Sequence, residues 1–267
     1  MKKVLISISI ILLIILVVCG IVVEKSIIRV ELSHGAVLHV LPAHKKNQAH
    51  SAVILCPGGG YSYLEKWCEG YMWFPFFHRL GITVAMLEYR LPNQDHLVPI
   101  TDGIDALLMM RKCAKEWRFN ENNVGIMGFS AGGHLASCLM VNDNASNRPN
   151  FGILFYPVIS MKKNLTHKRS HDHLLGENVS EELENQYSNE LHISDQTPPA
   201  YIAVSSDDKK VNPQNSICFY EEMRAQKRPV MLHVYPSGGH GWGYRLSFPY
   251  HNQMLNDLKD WLNNRHN

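Results

Sequence analysis

The sequence lacks a surplus of either charge. Its 267 residues include 26 Lys and Arg against 24 Asp and Glu, for a formal net charge of +2. Because nucleic acids are bound through concentrated positive charge, this balance argues against a nucleic-acid partner. Apolar residues make up 45% of the chain and charged residues 19%, which is the composition of a folded protein rather than a disordered one. A chain of this length can hold one α/β domain with a sizeable core.

The sequence also has few cysteines, and none has the spacing of a metal or redox motif. The six lie at positions 19, 56, 68, 113, 138 and 218, with no Cys-x-x-Cys pair among them. We interpret them mainly as small buried hydrophobic residues, and leave open one disulfide involving Cys68. The run His171-Asp172-His173 has the residue types of a metal site but no partner motif. Neither a metal nor a cofactor is therefore expected.

Long hydrophobic runs are absent except at the amino terminus, where two lysines precede an apolar stretch over residues 4–23. About 20 apolar residues span a bilayer as a helix, whereas a cleaved signal peptide has a core of about 7–15. Residues 1–23 are thus predicted to be an uncleaved anchor or, as a second reading, a signal peptide. Lipid attachment at Cys19 is a third. All three place the domain over residues 24–267 outside the cytoplasm, at a membrane or secreted.

From residue 37 onward, short apolar runs alternate with helix-compatible segments and no internal repeat occurs. Continuous apolar strands are typical of a parallel sheet covered on both faces, so the sequence predicts an α/β fold with helices on both sides. The polar stretch 161–199 breaks this alternation and is predicted to be an insertion over the active face. Strands are predicted at 37–41, 52–56, 82–87, 124–127, 151–156, 201–204 and 230–235, and helices at 67–80, 100–117, 131–140, 213–226 and 249–264.

The most informative stretch is Gly128-Phe129-Ser130-Ala131-Gly132, which matches G-x-S-x-G between a predicted strand and a predicted helix. A serine on such a turn has a strained backbone, and the glycines two residues to either side leave room for neighbouring chain. The helix that follows directs its unpaired N–H groups and positive dipole end toward the same place. Ser130 is therefore predicted to be a nucleophile rather than part of a plain connecting turn.

A serine nucleophile needs a base, and the base needs a carboxylate to orient it. His240 lies in the glycine-rich loop 236–243 after the last predicted strand. Asp207 and Asp208 follow the strand at 201–204, so both stand between serine and histidine in chain order. That order matches Ser…Asp…His of this fold class. Asp208 is predicted to orient His240, while Asp207 is expected to brace its loop.

An ester carbonyl attacked by serine develops an oxyanion, which needs preorganised N–H donors. Two sources are visible. One is Ala131, directly after the nucleophile, and the other is the run Gly58-Gly59-Gly60 after the strand at 52–56. Gly59, Gly60 and Ala131 are predicted to form the oxyanion hole, although three glycines would also suit a flexible turn.

These motifs resemble the α/β-hydrolase superfamily. The segments are Cys-Pro-Gly-Gly-Gly-Tyr at 56–61, Gly-Phe-Ser-Ala-Gly-Gly-His at 128–134, Ser-Asp-Asp-Lys-Lys-Val at 206–211 and Gly-Gly-His-Gly-Trp-Gly at 238–243. Parts of the insertion, at 166–178 and 187–191, are similar to the bacterial esterase branch that includes acetyl-xylan esterases. Pro57 stands where many lipase relatives have histidine, which argues against a lipase but leaves the backbone donors in place.

The resemblance implies a serine carboxylesterase that hydrolyses short acyl esters, acetyl above all, on carbohydrate. Tyr61 and Trp242, together with Tyr63 and Trp67, are candidates for a platform under a sugar ring, although plain packing would also explain each of them. A peptidase of the prolyl-oligopeptidase type shares the fold and the triad order. A non-catalytic exported binding protein on the same scaffold is the third possibility, and the intact Ser130, Asp208 and His240 argue against it.

Overall fold

The computed structural model describes residues 26–44 and 50–265. The predicted membrane anchor at 1–23, including Cys19, lies outside these residues. Within the two described ranges, no helix is long and apolar enough to cross a membrane.

One sheet of eight strands runs through the described part of the chain, in the order β1-β2-β4-β3-β5-β6-β7-β8. Strand β2 is antiparallel to both β1 and β4, and every pairing from β4 across to β8 is parallel. The strands are β1 Ile28–Glu31, β2 Val37–Leu41, β3 Ala52–Cys56, β4 Thr83–Glu88, β5 Val124–Phe129, β6 Phe151–Phe155, β7 Ala200–Ser205 and β8 Val230–Tyr235. The parallel part confirms the predicted α/β fold.

Helices cover both faces of the sheet. The described helices are α1 Phe74–Arg79, α2 Leu97–Lys112, α3 Ala131–Met140, α4 Lys168–Leu174, α5 Glu181–Gln186, α6 Gln214–Ala225 and α7 His251–Asn264. Apolar residues of α2, α3 and α6 pack in one core cluster with Ala52 and Ile54 of β3. Those of α1 and α7 pack in a second cluster with Val53 and Leu55. Successive β3 side chains thus enter opposite cores, which is why this strand is apolar at every position.

The largest departure from the predicted elements is between β3 and β4. A helix is predicted over 67–80, but the structure has a 3₁₀ turn at Tyr71–Trp73 and then the short α1. Pro75 lies in the first turn of α1, the part of a helix that tolerates proline. A Cβ on Gly70 would lie 2.3 Å from the Lys66 carbonyl oxygen, so the chain folds back on itself before the helix begins. Residues 57–70 are therefore a packed loop.

Two other differences are smaller. Strand β1 is not predicted, and it is mostly exposed at the edge of the sheet, so it lacks the apolar run that marks the inner strands. The predicted helix at 100–117 is found at Leu97–Lys112. The polar stretch 161–199 folds as α4, α5 and a 3₁₀ turn at Asn189–His192.

The five cysteines of the described residues are all free, so the disulfide left open for Cys68 does not form.

Candidate active site

Ser130 lies at the junction of β5 and α3 with φ 53° and ψ −119°, a backbone conformation that residues other than glycine rarely adopt. The two flanking glycines make this turn possible. A Cβ on Gly128 would lie 2.2 Å from the Gly132 carbonyl oxygen. A Cβ on Gly132 would lie 2.0 Å from the Cys56 carbonyl oxygen and 2.4 Å from that of Pro57. The glycine spacing therefore lets α3 approach both its own strand and the loop after β3.

The three side chains predicted to form a triad lie in one hydrogen-bonded chain. Ser130 Oγ is 2.9 Å from His240 Nε2, and His240 Nδ1 is 2.6 Å from Asp208 Oδ2. A carboxylate only accepts, so Nδ1 carries the proton and Nε2 is left to accept the serine proton. The other Asp208 oxygen accepts the amides of Lys210 and Val211, at 2.9 and 3.1 Å. Asp208 is 6% exposed and Ser130 is 5% exposed, so these hydrogen bonds are largely shielded from water.

Asp207 faces a different set of donors from its neighbour. Its carboxylate accepts the amide of Gly239 at 2.8 Å and that of Gly238 at 3.4 Å. These bonds hold the loop just before His240. Asp207 therefore braces the loop, as expected, and does not contact the imidazole.

The loop after β3 and the start of α3 supply backbone donors beside Ser130. Within the described residues, the amides of Gly59, Gly60 and Ala131 have no protein acceptor. The Gly58 amide, in contrast, donates to Glu69 at 2.8 Å. Gly59 and Gly60 have φ of 129° and 64°, and a Cβ on Gly59 would lie 2.0 Å from the Tyr63 carbonyl oxygen. Only glycine fits Gly59, and the donors predicted for an oxyanion hole are free to serve as one.

Tyr61 and Trp242, two of the four candidates for a sugar platform, lie in the interior of the described structure, as the packing alternative expects. Tyr61 is 2% exposed, and its hydroxyl donates to His134 Nδ1 at 3.0 Å. Trp242 is 3% exposed, donates to Ser205 Oγ at 3.0 Å and stacks on Phe248. Both rings are buried by packing, which local sequence does not reveal. The other two aromatic candidates, Tyr63 and Trp67, are 52% and 65% exposed.

Residues that sequence reasoning missed surround the triad. Tyr156 follows β6, is buried, and its ring centroid lies 4.8 Å from that of His240. His167, just before α4, feels the charges of His240 and Asp208; burial and then the nearby His240 charge lower its pKa. The only available signal for Tyr156 is its position after a parallel strand. His167 lies in the polar insertion and had no signal.

A groove of about 630 Å³ opens along α4, lined by residues that include Arg169, Asn93 and Gln94. Arg169 ties this groove to the loop after β3. Its guanidinium lies 5.8 Å from the centre of the Tyr63 ring, and its side chain covers Gly60. Arg169 is thus shared by the groove and the loop of Gly60, but the residues that line the groove include neither a triad residue nor a predicted backbone donor.

Comparison with known proteins gives consistent matches. The model of the BD-FAE family matches residues 38–223. An acetylxylan esterase of Xylanibacter ruminicola is 42% identical over 81% of this chain and 46% of its own length. Endo-1,4-beta-xylanase B of Butyrivibrio fibrisolvens is 31% identical over 79% of this chain and 35% of its own length. This chain thus spans less than half the length of either relative.

Solved structures show the same architecture. The crystal structure of an acetyl ester-xyloside bifunctional hydrolase from Caldicellulosiruptor lactoaceticus has a TM-score of 0.79 and 30% sequence identity, over 86% of this chain and 89% of that one. A sugar hydrolase from Lactococcus lactis has a TM-score of 0.78 over 90% of this chain and 98% of its own. Because the sequence identity of the second match is only 24%, it supports the fold alone.

Proposed function

Because the chain belongs to the BD-FAE family within the α/β hydrolases, we propose that it is a serine carboxylesterase that removes short acyl groups, acetyl first, from carbohydrate. The observation that carries the proposal is the continuous chain from Ser130 Oγ through His240 to Asp208, with distances of 2.9 and 2.6 Å. A buried hydroxyl in contact with an oriented imidazole is the arrangement that nucleophilic acyl transfer requires.

The proposed reaction has two halves. Ser130 Oγ attacks the acyl carbon while His240 Nε2 takes its proton, and the negative oxygen is held by the amides of Gly59, Gly60 and Ala131. The imidazolium then protonates the leaving sugar oxygen, and the acyl group stays on Ser130. Water attacks this acyl-enzyme, with the same imidazole as base, and releases the acid. Asp208 keeps the imidazole in the tautomer that both halves need.

The proposed substrate class is supported by the names of relatives and by the surface beside the site. A relative named acetylxylan esterase and a solved structure named for acetyl ester and xyloside hydrolysis favour an acetylated sugar. Exposed aromatic surface on the loop that carries Gly59, from Tyr63 and Trp67, suits such a substrate. Aromatic faces are suited to packing against the apolar face of a sugar ring.

The test uses the full chain and measures acetate released from a chromogenic acetate ester and from acetylated xylo-oligosaccharides. We expect release from both, slower release of longer acyl groups, and none from Ser130→Ala. Ser146→Ala, which alters an exposed serine on a distant turn, should retain full activity. No release from any ester would contradict the proposal. Turnover of prolyl amides but not esters would favour the peptidase, and turnover of neither would favour the binding protein.

The cellular location is a separate proposal that depends on residues 1–23. We propose that they keep the enzyme outside the cytoplasm, at a membrane unless they are cleaved. The location called for is the periplasm or the cell surface, or the medium if the segment is cleaved. Protease added to spheroplasts, from which the outer cell layers have been removed, should then remove the cell-associated activity. Survival of the activity until the cells are lysed would contradict this placement.

A further inference from the structure

Glu69 is a buried carboxylate at the end of the loop that begins with the oxyanion glycines. It is 3% exposed, in a region of aromatic and apolar side chains. Its Oε2 accepts the Gly58 amide at 2.8 Å, and its Oε1 accepts the Tyr156 hydroxyl at 2.8 Å. Each carboxylate oxygen therefore has one donor. Burial raises the pKa of this carboxyl, whereas the two hydrogen bonds and the nearby His240 oppose the rise.

Tyr156 carries the connection on to the loop of His240. Its hydroxyl donates to Glu69 and accepts the amide of Gly243 at 2.8 Å. Gly243 stands three residues after His240, and the Tyr156 ring lies against the imidazole, with ring centroids 4.8 Å apart. The same two loops also touch through backbone, because the Tyr244 amide donates to the Cys68 carbonyl at 2.8 Å.

We propose that Glu69 is a positioning residue of the active site, which fixes the oxyanion loop through the Gly58 amide and the histidine loop through Tyr156 and Gly243. This inference rests on the proposed function, because it names what holds the two halves of that site in register. Glu69 accepts the Gly58 amide, and the Gly58 carbonyl accepts the Glu65 amide at 3.0 Å, so the peptides on both sides of Gly58 are held, and the Gly59 amide has no acceptor among the described residues. Gly58 is also tight against the nucleophile, since a Cβ on it would lie 3.0 Å from Ser130 Cβ.

A residue needed only to fill space here would be apolar, because removing a carboxylate from water is costly. The carboxylate is retained in a place where its two oxygens join segments that are far apart in sequence and that both contact the reacting groups. A displacement of about 1 Å in such groups can lower turnover by about 10²-fold. Glu69 acts through Gly58 and Tyr156 and does not touch the reacting atoms.

The test compares Glu69→Gln with Glu65→Gln in the full chain. Glu65 lies on the same loop, and within the described ranges its side chain accepts the Cys68 amide alone, so it matches the change of charge without the connection. For Glu69→Gln we expect kcat on a chromogenic acetate ester to fall by about 10²-fold with KM within about twofold. The rate of Ser130 labelling by a fluorophosphonate should fall in parallel. Glu65→Gln should keep both rates within about twofold of wild type.

Tyr156→Phe provides a second arm that keeps the ring against His240 but removes the bridging hydroxyl. It should lower kcat as well, and the double variant with Glu69→Gln should lose little more than either single variant, because both remove one connection. Thermal unfolding of each variant shows whether it is folded at the assay temperature. If Glu69→Gln is unfolded there, the result for Tyr156→Phe decides the proposal.

The proposal is overturned by a wild-type kcat in Glu69→Gln, by equal losses in Glu65→Gln, by a loss confined to KM, or by additive effects of the two substitutions. A wild-type chain that labels rapidly but hydrolyses no ester contradicts the proposed function, and the role of Glu69 is then decided on labelling rates alone. A wild-type chain that neither labels nor hydrolyses overturns both.

Discussion

At the scale of single residues, Asp207 and Asp208 show how neighbours in sequence acquire different tasks. Asp208 accepts from His240 and from two amides of its own loop, and it is 6% exposed. Asp207 accepts from the Gly238 and Gly239 amides and is open to solvent. Both carboxylates suit the motif in the sequence, so the contrast depends on which way the turn after β7 directs each side chain.

The pair predicts unequal effects of the same substitution. Asp208→Asn should lower kcat on an acetate ester by about 10⁴-fold, because the amide favours the wrong imidazole tautomer. Asp207→Asn keeps an acceptor oxygen, so its loss should be about fivefold or less, in line with one weakened hydrogen bond. Steady-state kinetics on the two variants measures this. Comparable losses in both would contradict the assigned roles.

His134 is a buried histidine that the reaction does not use. It is fully buried, accepts from the Tyr61 hydroxyl and donates through Nε2 to the Tyr187 carbonyl at 2.8 Å. Burial lowers its pKa from 6.5 to about 4. The unfolded chain therefore binds the proton more readily, and the stability linked to this histidine is present above pH 6.5 and lost as the pH falls toward 4.

We predict that His134→Gln flattens the pH dependence of stability between pH 6.5 and 4. The wild type should lose at most about 3 kcal/mol more than the variant over this range. Denaturant unfolding at several pH values measures the difference. His34→Gln, at an exposed position, serves as the control and should keep the wild-type slope. An unchanged slope in His134→Gln would show that this group does not govern the acid limb.

Burial explains which residues could be predicted. Ser130, His240 and Asp208 are recognisable because glycines and strand ends surround them in sequence. Whether an aromatic residue is exposed depends on partners far away, so local sequence could not separate the buried Tyr61 and Trp242 from the exposed Tyr63 and Trp67. Glu69 had no signal, since its two donors come from separate parts of the chain.

At the scale of elements, the junction of α3 with the loop after β3 is the tightest part of the site. A Cβ added to Gly132 would lie 2.0 Å from the Cys56 carbonyl oxygen and 2.4 Å from the Pro57 carbonyl oxygen. Both oxygens belong to backbone, which cannot move without moving the oxyanion loop. Gly103 in α2 offers a comparison. A Cβ added to Gly103 would lie 2.7 Å from Leu139 Cδ1, which is the end of a side chain that can rotate.

Gly132→Ala should therefore destabilise the protein by about 1–3 kcal/mol and lower kcat, because overpacking displaces the loop. Gly103→Ala should cost less and leave kcat unchanged. Gly103 lies in the interior of its helix and gains about 1 kcal/mol of helix preference on becoming alanine, whereas Gly132 lies in the first turn and gains less. Unfolding and steady-state kinetics on both variants provide the test. A Gly132→Ala variant with wild-type kcat would show that the loop adapts.

Element prediction succeeded where one physical pattern dominates. The bounds of β2, β3 and β8 match the predicted ones, because the apolar run ends at a turn residue or a polar one. Prediction failed over 67–73, ahead of α1, where an aromatic-rich run looks helical but folds as a loop and a 3₁₀ turn, with close packing at Gly70 and hydrogen bonds to Glu69. Tertiary contacts overrode local preference there.

At the scale of the whole molecule, the parallel sheet explains how distant motifs meet. The segments after β3, β5, β6, β7 and β8 all leave the same edge, and they carry Gly59, Ser130, Tyr156, Asp208 and His240. The alternation of buried strands and helices was enough to predict this convergence. It did not predict β1, because this exposed edge strand lacks a continuous apolar pattern.

The central claim is that Ser130 is a nucleophile activated by His240, and one measurement addresses it most directly. The full chain is incubated with a fluorophosphonate, and the modified residue is located by peptide mass spectrometry while esterase activity is followed. The account predicts one label per chain, on Ser130, with activity lost in step with labelling. A chain that stays unlabelled, or that is labelled elsewhere while activity disappears, would contradict it.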